Sequence, residues 1–143
     1  MSLMGAVYTL LNDTTDITDY LSTYNFGGGA IPAIFSEDPA PDNAECPLIT
    51  IEMEGGAGGA SVRDRGNRGG NVGFGIKLWY DKDHSQKEMR EVAETIWKTL
   101  DRADLTLSGY EFVQCLSTPP GQLSDPDGFR GFLIRCVVSV RYV

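Results

Sequence analysis

Histidine, paired cysteines and long apolar runs are scarce in this chain, and each shortage argues against a class of protein. His84 is the only histidine among 143 residues, so the usual ligand set of a zinc site is missing. Cys46, Cys115 and Cys136 are odd in number and form no CxxC pair, which favours free thiols in a reducing compartment. No apolar run approaches the roughly 20 residues that cross a bilayer, and no secretory signal pattern is present. We therefore expect an intracellular protein without a metal and without a membrane partner.

Motifs for catalysis and nucleotide binding are missing as well. The chain has no GxSxG segment, and the glycine-rich residues 55–71 run into a strand without the lysine of a phosphate-binding loop. Asp125-Pro126-Asp127-Gly128 begins like a calcium loop, but the later oxygen ligands do not follow. We expect no catalytic residues, no cofactor and no enzymatic activity. Two alternatives remain: a small-ligand or nucleotide-binding α+β module that uses residues 55–71, and an enzyme that uses Cys46 or the acidic loop 36–47.

Basic side chains are in short supply. The formal net charge is −8, from 20 acidic and 12 basic side chains. A protein that coats nucleic acid needs positive charge to displace the counterions of the phosphates. We therefore expect no sequence-specific nucleic-acid partner. The acidic balance serves solubility, and the 41% of hydrophobic residues is typical of a folded domain.

The strongest structural pattern lies between Val72 and Arg102, where an alternating strand leads directly into an amphipathic helix. Every second residue of the strand is apolar, namely Val72, Phe74, Ile76, Leu78 and Tyr80. The helix carries an apolar stripe at steps of three and four residues, formed by Met89, Val92, Ala93, Ile96, Trp97 and Leu100. A capping box is provided by Asp83 with Gln86 or by Ser85 with Glu88. This unit predicts a sheet with a helix packed on one face.

Weaker patterns complete the fold prediction. Apolar spacing predicts a first helix within residues 3–11 and a short helical turn at 16–22. Further strands are predicted at 30–35, 48–54, 110–117 and 129–143, with a turn-rich connection at 118–128. We predict a single α+β domain over residues 1–143, with an antiparallel or mixed sheet of about four to five strands and two main helices packed on one face. Residues 1–3 match a cloning remnant.

Two surface features indicate contacts with other molecules. Residues 55–71 contain seven glycines and are predicted to form a mobile hairpin loop, because ordering so many glycines costs backbone entropy. Arg63, Arg65 and Arg68 place positive charge on this loop, which either orders against a partner or stays solvated. Trp79 lies opposite the predicted core face of its strand. There it either contacts another chain or belongs to a second apolar layer supplied by the N-terminal segment.

Four weak motifs follow one another along nearly the whole chain. They are a short helical and extended segment, a proline-rich linker into a strand, an aromatic strand end before a capped helix, and a closing strand after an Asp-Gly turn. In order, these motifs are Ile17–Leu21 with Ala30–Phe35, Pro39-Ala40-Pro41 with Cys46-Pro47-Leu48-Ile49, Leu78-Trp79-Tyr80-Asp81 with Glu88–Leu100, and Asp127-Gly128 with Arg130–Tyr142. With these motifs in this order, the chain resembles the tail terminator family of long-tailed bacteriophages and prophages, tail-completion proteins that include the lambda-type minor tail protein U.

The resemblance implies a structural role. Proteins of this kind form a homo-oligomeric ring, commonly a hexamer, that caps the tail tube and joins it to the head connector. The implied partners are further copies of the chain, the tail tube protein and a head-completion or connector protein. The implied location is the bacterial host cytoplasm during assembly and the virion tail afterwards. The family has no catalytic residues to carry over, and Arg63, Arg65, Arg68 and Trp79 become candidate interface residues.

Overall fold

In the described residues, two helices come first, six strands follow, and a third helix precedes three closing strands. The computed structural model describes residues 3–36, 40–53, 61–64, 67–105, 110–124 and 128–142. The helices among them are α1 (Leu3–Asn12), α2 (Thr15–Thr18) and α3 (Gln86–Leu100). The strands are β1 (Thr23–Asn25), β2 (Ala30–Pro32), β3 (Ile34–Phe35), β4 (Leu48–Met53), β5 (Ser61–Asp64), β6 (Asn67–Tyr80), β7 (Tyr110–Ser117), β8 (Gly121–Ser124) and β9 (Arg130–Tyr142). No helix in the described ranges combines the length and apolar character that spanning a bilayer requires.

Most strands join one mixed sheet. Its central path has the order β3-β4-β6-β9-β7, so the two longest strands, β6 and β9, lie next to each other in the middle. β5 pairs with the start of β6, and β8 pairs with the start of β9. β3 runs parallel to β4, whereas the other pairings in this sheet are antiparallel. The predicted α+β class is confirmed. The central path has five strands, which corresponds to the predicted four to five, and β5 and β8 are short additions to it.

The main core lies between the helices and one face of this sheet. α3 buries the predicted stripe except for Trp97, which is partly buried against the core. Opposite it, alternate residues of β6 and β9 are almost fully buried, namely Phe74, Ile76, Leu78, Tyr80, Phe132, Ile134, Cys136 and Val138. α1 adds Ala6, Val7 and Leu11 to the same core. Burial of each large apolar side chain contributes about 1.5–3 kcal/mol before the entropic cost of ordering it.

The start of α3 is set by the turn that follows β6. Ser85 is the N-cap, and its Oγ accepts a hydrogen bond from the Glu88 backbone N–H at 3.4 Å. This confirms the Ser85 half of the second predicted capping box. The carboxylate of Asp81 accepts the Asp83 backbone N–H at 3.1 Å and lies 2.6 Å from His84 Nδ1. These contacts order the turn, so α3 begins where it can fold back over the sheet.

The C-terminal end of α3 covers the outer edge of β7. The Arg102 N–H donates to the Cys115 carbonyl at 2.7 Å, and the Trp97 indole N–H donates to the Ser117 carbonyl at 3.2 Å. The Ser117 N–H donates to Oδ1 of Asp101 at 3.0 Å. Arg102 has a φ of 60°, in the left-handed region that commonly follows the last helical residue. These bonds satisfy backbone groups of an edge strand that have no neighbouring strand.

A smaller apolar layer covers one end of the opposite sheet face. Its buried centre is formed by Ala33, Phe35 and Leu48, and the partly buried residues packed against it are Tyr24, Ala40, Ala44, Cys46 and Trp79. β1 and β2 form an antiparallel hairpin, and the neighbouring Ser22 N–H donates to the Pro47 carbonyl at 2.9 Å. The alternation of residues 48–54 predicts a half-exposed strand, but the first four residues of β4 are buried. The reason is that this layer covers the face of β4 that points away from the helices.

Three short strands lie where the sequence predicts a break, a loop or a turn. β1 precedes the glycine turn, β8 lies in the connection 118–128, and β5 with the start of β6 lies in the segment 55–71. Each short strand has a single large apolar or aromatic residue, so the sequence there carries no alternating signal. Residues 54–60 and 65–66 of the predicted loop lie outside the described residues, and its mobility stays a prediction.

Replacing Trp97 with alanine tests the packing of α3. The indole packs on the main core and donates to the Ser117 carbonyl, so Trp97→Ala should lower the free energy of unfolding by about 3 kcal/mol. Urea denaturation followed by circular dichroism measures this loss. The matched variant Trp97→Phe keeps most of the packing and removes the hydrogen bond, and its expected loss is about 1 kcal/mol. Equal losses in the two variants would contradict a packing role.

Candidate interaction surfaces

Two of the three arginines predicted as contact residues, Arg63 and Arg68, belong to a hairpin that extends the central strand. The backbones of Arg63 and Arg68 pair directly across β5 and β6, whereas Arg65 lies outside the described residues. Gly69 and Gly70 of β6 pair with β5 on one side and with β9 on the other. The hairpin is therefore continuous with the sheet. A contact role for the three arginines stays a prediction.

Trp79 lies on the sheet face opposite α3 and is partly covered by the second apolar layer. Its cross-strand neighbours are Leu48 on β4 and Gly131 on β9. A Cβ atom at position 131 would lie 2.9 Å from the indole Cε3, so the glycine provides the space that the ring occupies. The second layer that the sequence left open is present, although residues 24–48 supply it and the N-terminal helix does not. An interface role for Trp79 stays a prediction.

Beyond Trp79, the same sheet face has exposed side chains. Leu116 on β7 and Val137 on β9 are direct cross-strand partners, and they are 46% and 45% exposed. Arg135, two residues before Val137 on the same face of β9, is also exposed. We name this area the open face, and its residues are Glu52, Gly73, Gly75, Lys77, Leu116, Leu133, Arg135 and Val137. Neighbouring apolar side chains exposed on a sheet face are typical of a surface that another chain covers.

Charged side chains surround a shallow depression in the open face. The depression has a volume of about 290 Å³ and lies over Gly75, bordered by Glu52, Lys77, Leu133 and Arg135. Lys77 Nζ lies 3.2 Å from Glu52 Oε2. Because Gly75 pairs with Glu52 on one side and with Arg135 on the other, a position without a side chain separates the charged groups. The border thus has two cations and one anion, in a chain whose net charge is −8.

The sequence pattern predicts which side chains of the closing strand share a face, but it does not identify the open face as an interaction surface. The alternation of the closing strand already puts Leu133, Arg135 and Val137 together. What the pattern cannot give is the extent of the second apolar layer, which comes from residues distant in the sequence. One signal in the sequence does indicate such a surface. The closing strand has apolar residues on both faces, and the chain has few helices to cover them.

The β1–β2 hairpin presents a second exposed apolar surface. Phe26 is 47% exposed and Ile31 is 39% exposed. The rings of Tyr24, Phe26 and Phe35 form a cluster with centroids 4.9 to 5.4 Å apart. The Tyr24 hydroxyl donates to Asn43 Oδ1 at 3.1 Å, which joins the hairpin to the loop of residues 40–47. The hairpin is therefore supported by aromatic packing while its outer side chains remain available for contact.

Cys46 lies in surroundings that oppose nucleophilic chemistry. Burial and the negative charge of Asp81 raise the pKa of the Cys46 thiol to about 11. A catalytic thiol needs the opposite, because the thiolate is the nucleophile and a neighbouring cation lowers the pKa. His84 is hydrogen-bonded to Asp81, and the carboxylate that orients the imidazole disfavours the thiolate. This arrangement does not activate Cys46.

A second depression, of about 190 Å³, lies between α2 and α3. It is lined by Asp16, Tyr20, Glu88, Glu91, Val92 and Thr95. These carboxylates do not converge as ligands: across the described ranges, no group of three His, Cys, Asp or Glu side chains could hold a metal ion. The depression offers negative charge on the helix side of the subunit and no reactive group.

The reactivity of Cys46 can be measured directly. With a pKa of about 11, about one thiol in a thousand is ionised at pH 8, so we expect a thiol reagent to modify Cys46 about a hundredfold more slowly than free cysteine. The rate should rise as the pH approaches 11. Cys115 and Cys136 are buried and should react only in denaturant, which supplies the control. A Cys46 rate equal to that of free cysteine would contradict this environment.

Comparison with known proteins gives a family and a related fold. A chain in the structure described as the virion of a native gene transfer agent (GTA) particle superposes with a TM-score of 0.71 over 98% of this chain and 95% of that chain. The two are 18% identical, so this likeness establishes the fold. Comparison with curated proteins finds no match. The family model for tail completion protein gp17 matches residues 5–142. With nearly its whole length matched, the chain belongs to the tail completion protein gp17 family, as its resemblance to phage tail-completion proteins predicts.

Proposed function

We propose that this phage tail protein forms a closed ring of identical copies that ends the tail tube and joins it to the head connector. The ring comprises six copies, the number implied by the resemblance to tail terminators. One side of the ring binds the tail tube protein, and the other binds a head-completion or connector protein. Assembly takes place in the bacterial host cytoplasm, and the ring then stays in the virion tail.

The observation that carries this proposal is the family match over residues 5–142. The match spans residues 5–142, so we assign the role to this whole stretch of the chain. The related fold in a GTA virion is consistent with a place in an assembled particle.

The surfaces of the subunit suit repeated contact between copies. A ring requires that two different surfaces of each copy meet, so that contacts repeat around an axis until the ring closes. The open face and the β1–β2 hairpin are two such surfaces, and both expose large apolar side chains. The hairpin with Arg63, Arg65 and Arg68 is a further contact element in this proposal. It extends the sheet at the end of β6 that is distant from Trp79.

The ring itself is tested by mass measurement over a concentration series, with negative-stain images of the largest species. We expect a defined oligomer with a central hole, formed by the protein alone or after addition of its tail tube protein. Bovine serum albumin in place of the tube protein is the control for non-specific crowding. A protein that stays monomeric with its tube protein present would contradict the proposal. Protection of residues 55–71 from proteolysis by a nucleotide would instead favour the small-ligand alternative.

The arginine hairpin gives a separate prediction. Replacing Arg63, Arg65 and Arg68 together with serine should leave the melting temperature unchanged within about 2 °C and reduce assembly, because surface substitutions seldom affect folding. Light scattering measures the assembled fraction. The control replaces Lys82, Lys87 and Lys98, which are exposed at other places on the subunit. Replacing these three lysines removes the same amount of positive charge. If both triple variants assemble equally well, the hairpin is not a contact element. If the arginine variant unfolds, its role is structural.

A further inference from the structure

Charge is distributed unevenly along the chain. Residues 1–62 contain nine acidic side chains and no lysine or arginine, whereas residues 63–143 contain all 12 basic side chains and 11 acidic ones. The first part supplies α1, α2, the β1–β2 hairpin, β3 and β4. In the sheet, β3 and β4 lie on one side of β6, and β9 and β7 lie on the other. Among the described residues of the first part, Asp42 and Glu45 lie in the loop that leads into β4, so the β3–β4 side of β6 carries negative charge.

The outer part of that side combines carboxylates with exposed apolar side chains. Phe26 and Ile31 project from the hairpin, and Asp42 and Glu45 are exposed in the adjacent loop. The Ser22 hydroxyl donates to the Glu45 carbonyl, which holds the loop beside the hairpin. We name this surface the acidic hairpin edge, and it consists of residues 23–32 and 40–46. It has no basic side chain.

The open face has the complementary properties. Leu116 and Val137 offer exposed apolar contact, and Arg135 is exposed beside Val137. Within the same area, the charge of Lys77 is already paired with that of Glu52. The open face thus has an apolar pair beside two cations, Lys77 and Arg135, and one anion, Glu52, whereas the acidic hairpin edge has an apolar pair beside carboxylates alone. Such complementarity steers two surfaces together and fixes their relative orientation.

We infer that the acidic hairpin edge of one copy docks on the open face of the next. Phe26 and Ile31 pack against Leu116 and Val137, while the carboxylates of the hairpin edge approach Arg135. The hairpin edge lies toward the β3–β4 side of β6, whereas Leu116, Arg135 and Val137 lie on β7 and β9 on its other side, so the contact is head-to-tail and repeats from copy to copy. The docked hairpin continues the apolar layer that already covers Trp79. This inference rests on the proposed function, because the occupant of the open face is a second copy of this chain.

Cross-linking between two differently labelled copies tests the contact. One copy carries Ile31→Cys and the other Val137→Cys, both in a Cys46→Ser background, and a short bis-maleimide joins thiols that meet during assembly. We expect a covalent dimer in the mixture and none from either variant alone, since positions 31 and 137 meet only between copies. The control replaces Val137→Cys with Lys87→Cys, which lies exposed on α3 and should give no product with Ile31→Cys.

A charge exchange provides the second measurement. Arg135→Glu alone, or Asp42→Lys with Glu45→Lys, should raise the concentration for half assembly by about tenfold or more, because like charges then face each other. Combining the two sets in one chain should restore most of the assembly. Lys87→Glu changes the net charge as much as Arg135→Glu does and should have no effect. Melting temperatures show that each variant is folded, and Val137→Ser gives a second open-face variant without a charge change.

The outcomes distinguish this inference from the proposed function. Rings that form at unchanged concentration in all open-face variants, without cross-linking from position 31 to 137, would overturn the docking and leave the ring intact. If open-face variants form rings but no longer bind the tube protein, the open face is the binding surface for the tube protein. This result would also overturn the docking. If the wild-type protein forms no ring even with its tube protein present, both the proposed function and the docking are contradicted.

Discussion

The packing of α3 on β6 and β9 is the contact on which the rest of the structure depends. The two strands are long, adjacent and alternately apolar, and one face of their ribbon is buried from Phe74 to Tyr80 and from Phe132 to Val138. The apolar stripe of α3 covers this face, and the cap at Ser85 sets where the helix begins. Once this face is buried, the other side chains of the same strands must point the opposite way. The surface available for assembly is therefore a by-product of how the core is built.

The sequence predicts those parts of the fold whose signal is local and periodic. The alternation from Phe74 to Tyr80 and the stripe from Met89 to Leu100 are explicit in the chain, and both elements form as predicted. β5 and β8 carry no such pattern, because pairing to the ends of β6 and β9 creates them. The burial of Leu48 likewise depends on residues brought from 24–46 by the tertiary fold. The alternation of the strand predicts the sheet face on which Trp79 lies. How far other residues bury its side chain cannot be predicted from its neighbours in the sequence.

The chemistry of the subunit is a chemistry of surfaces. Its thiols are buried or disfavoured as thiolates, and the carboxylates in the depression between α2 and α3 are not arranged to bind a cation. The proposed function of this tail completion protein depends on shape and charge, which act over areas that single residues do not define. A net charge of −8 with a locally positive face is compatible with such a role.

The hydrogen bonds from the end of α3 to β7 have a consequence for how copies can associate. With the Cys115 carbonyl and the Ser117 N–H and carbonyl already hydrogen-bonded to the end of α3, this stretch of the edge is blocked for a strand from a neighbour. At the opposite edge, β3 is only two residues long and offers little ladder to extend. Copies are therefore less able to associate by backbone pairing between strand edges, which is not specific for sequence and can continue from chain to chain. Contacts between side chains, which are specific for particular partners, are favoured instead. For the proposed role of ending a tail tube, this means that the subunit is itself hindered from forming an open-ended polymer.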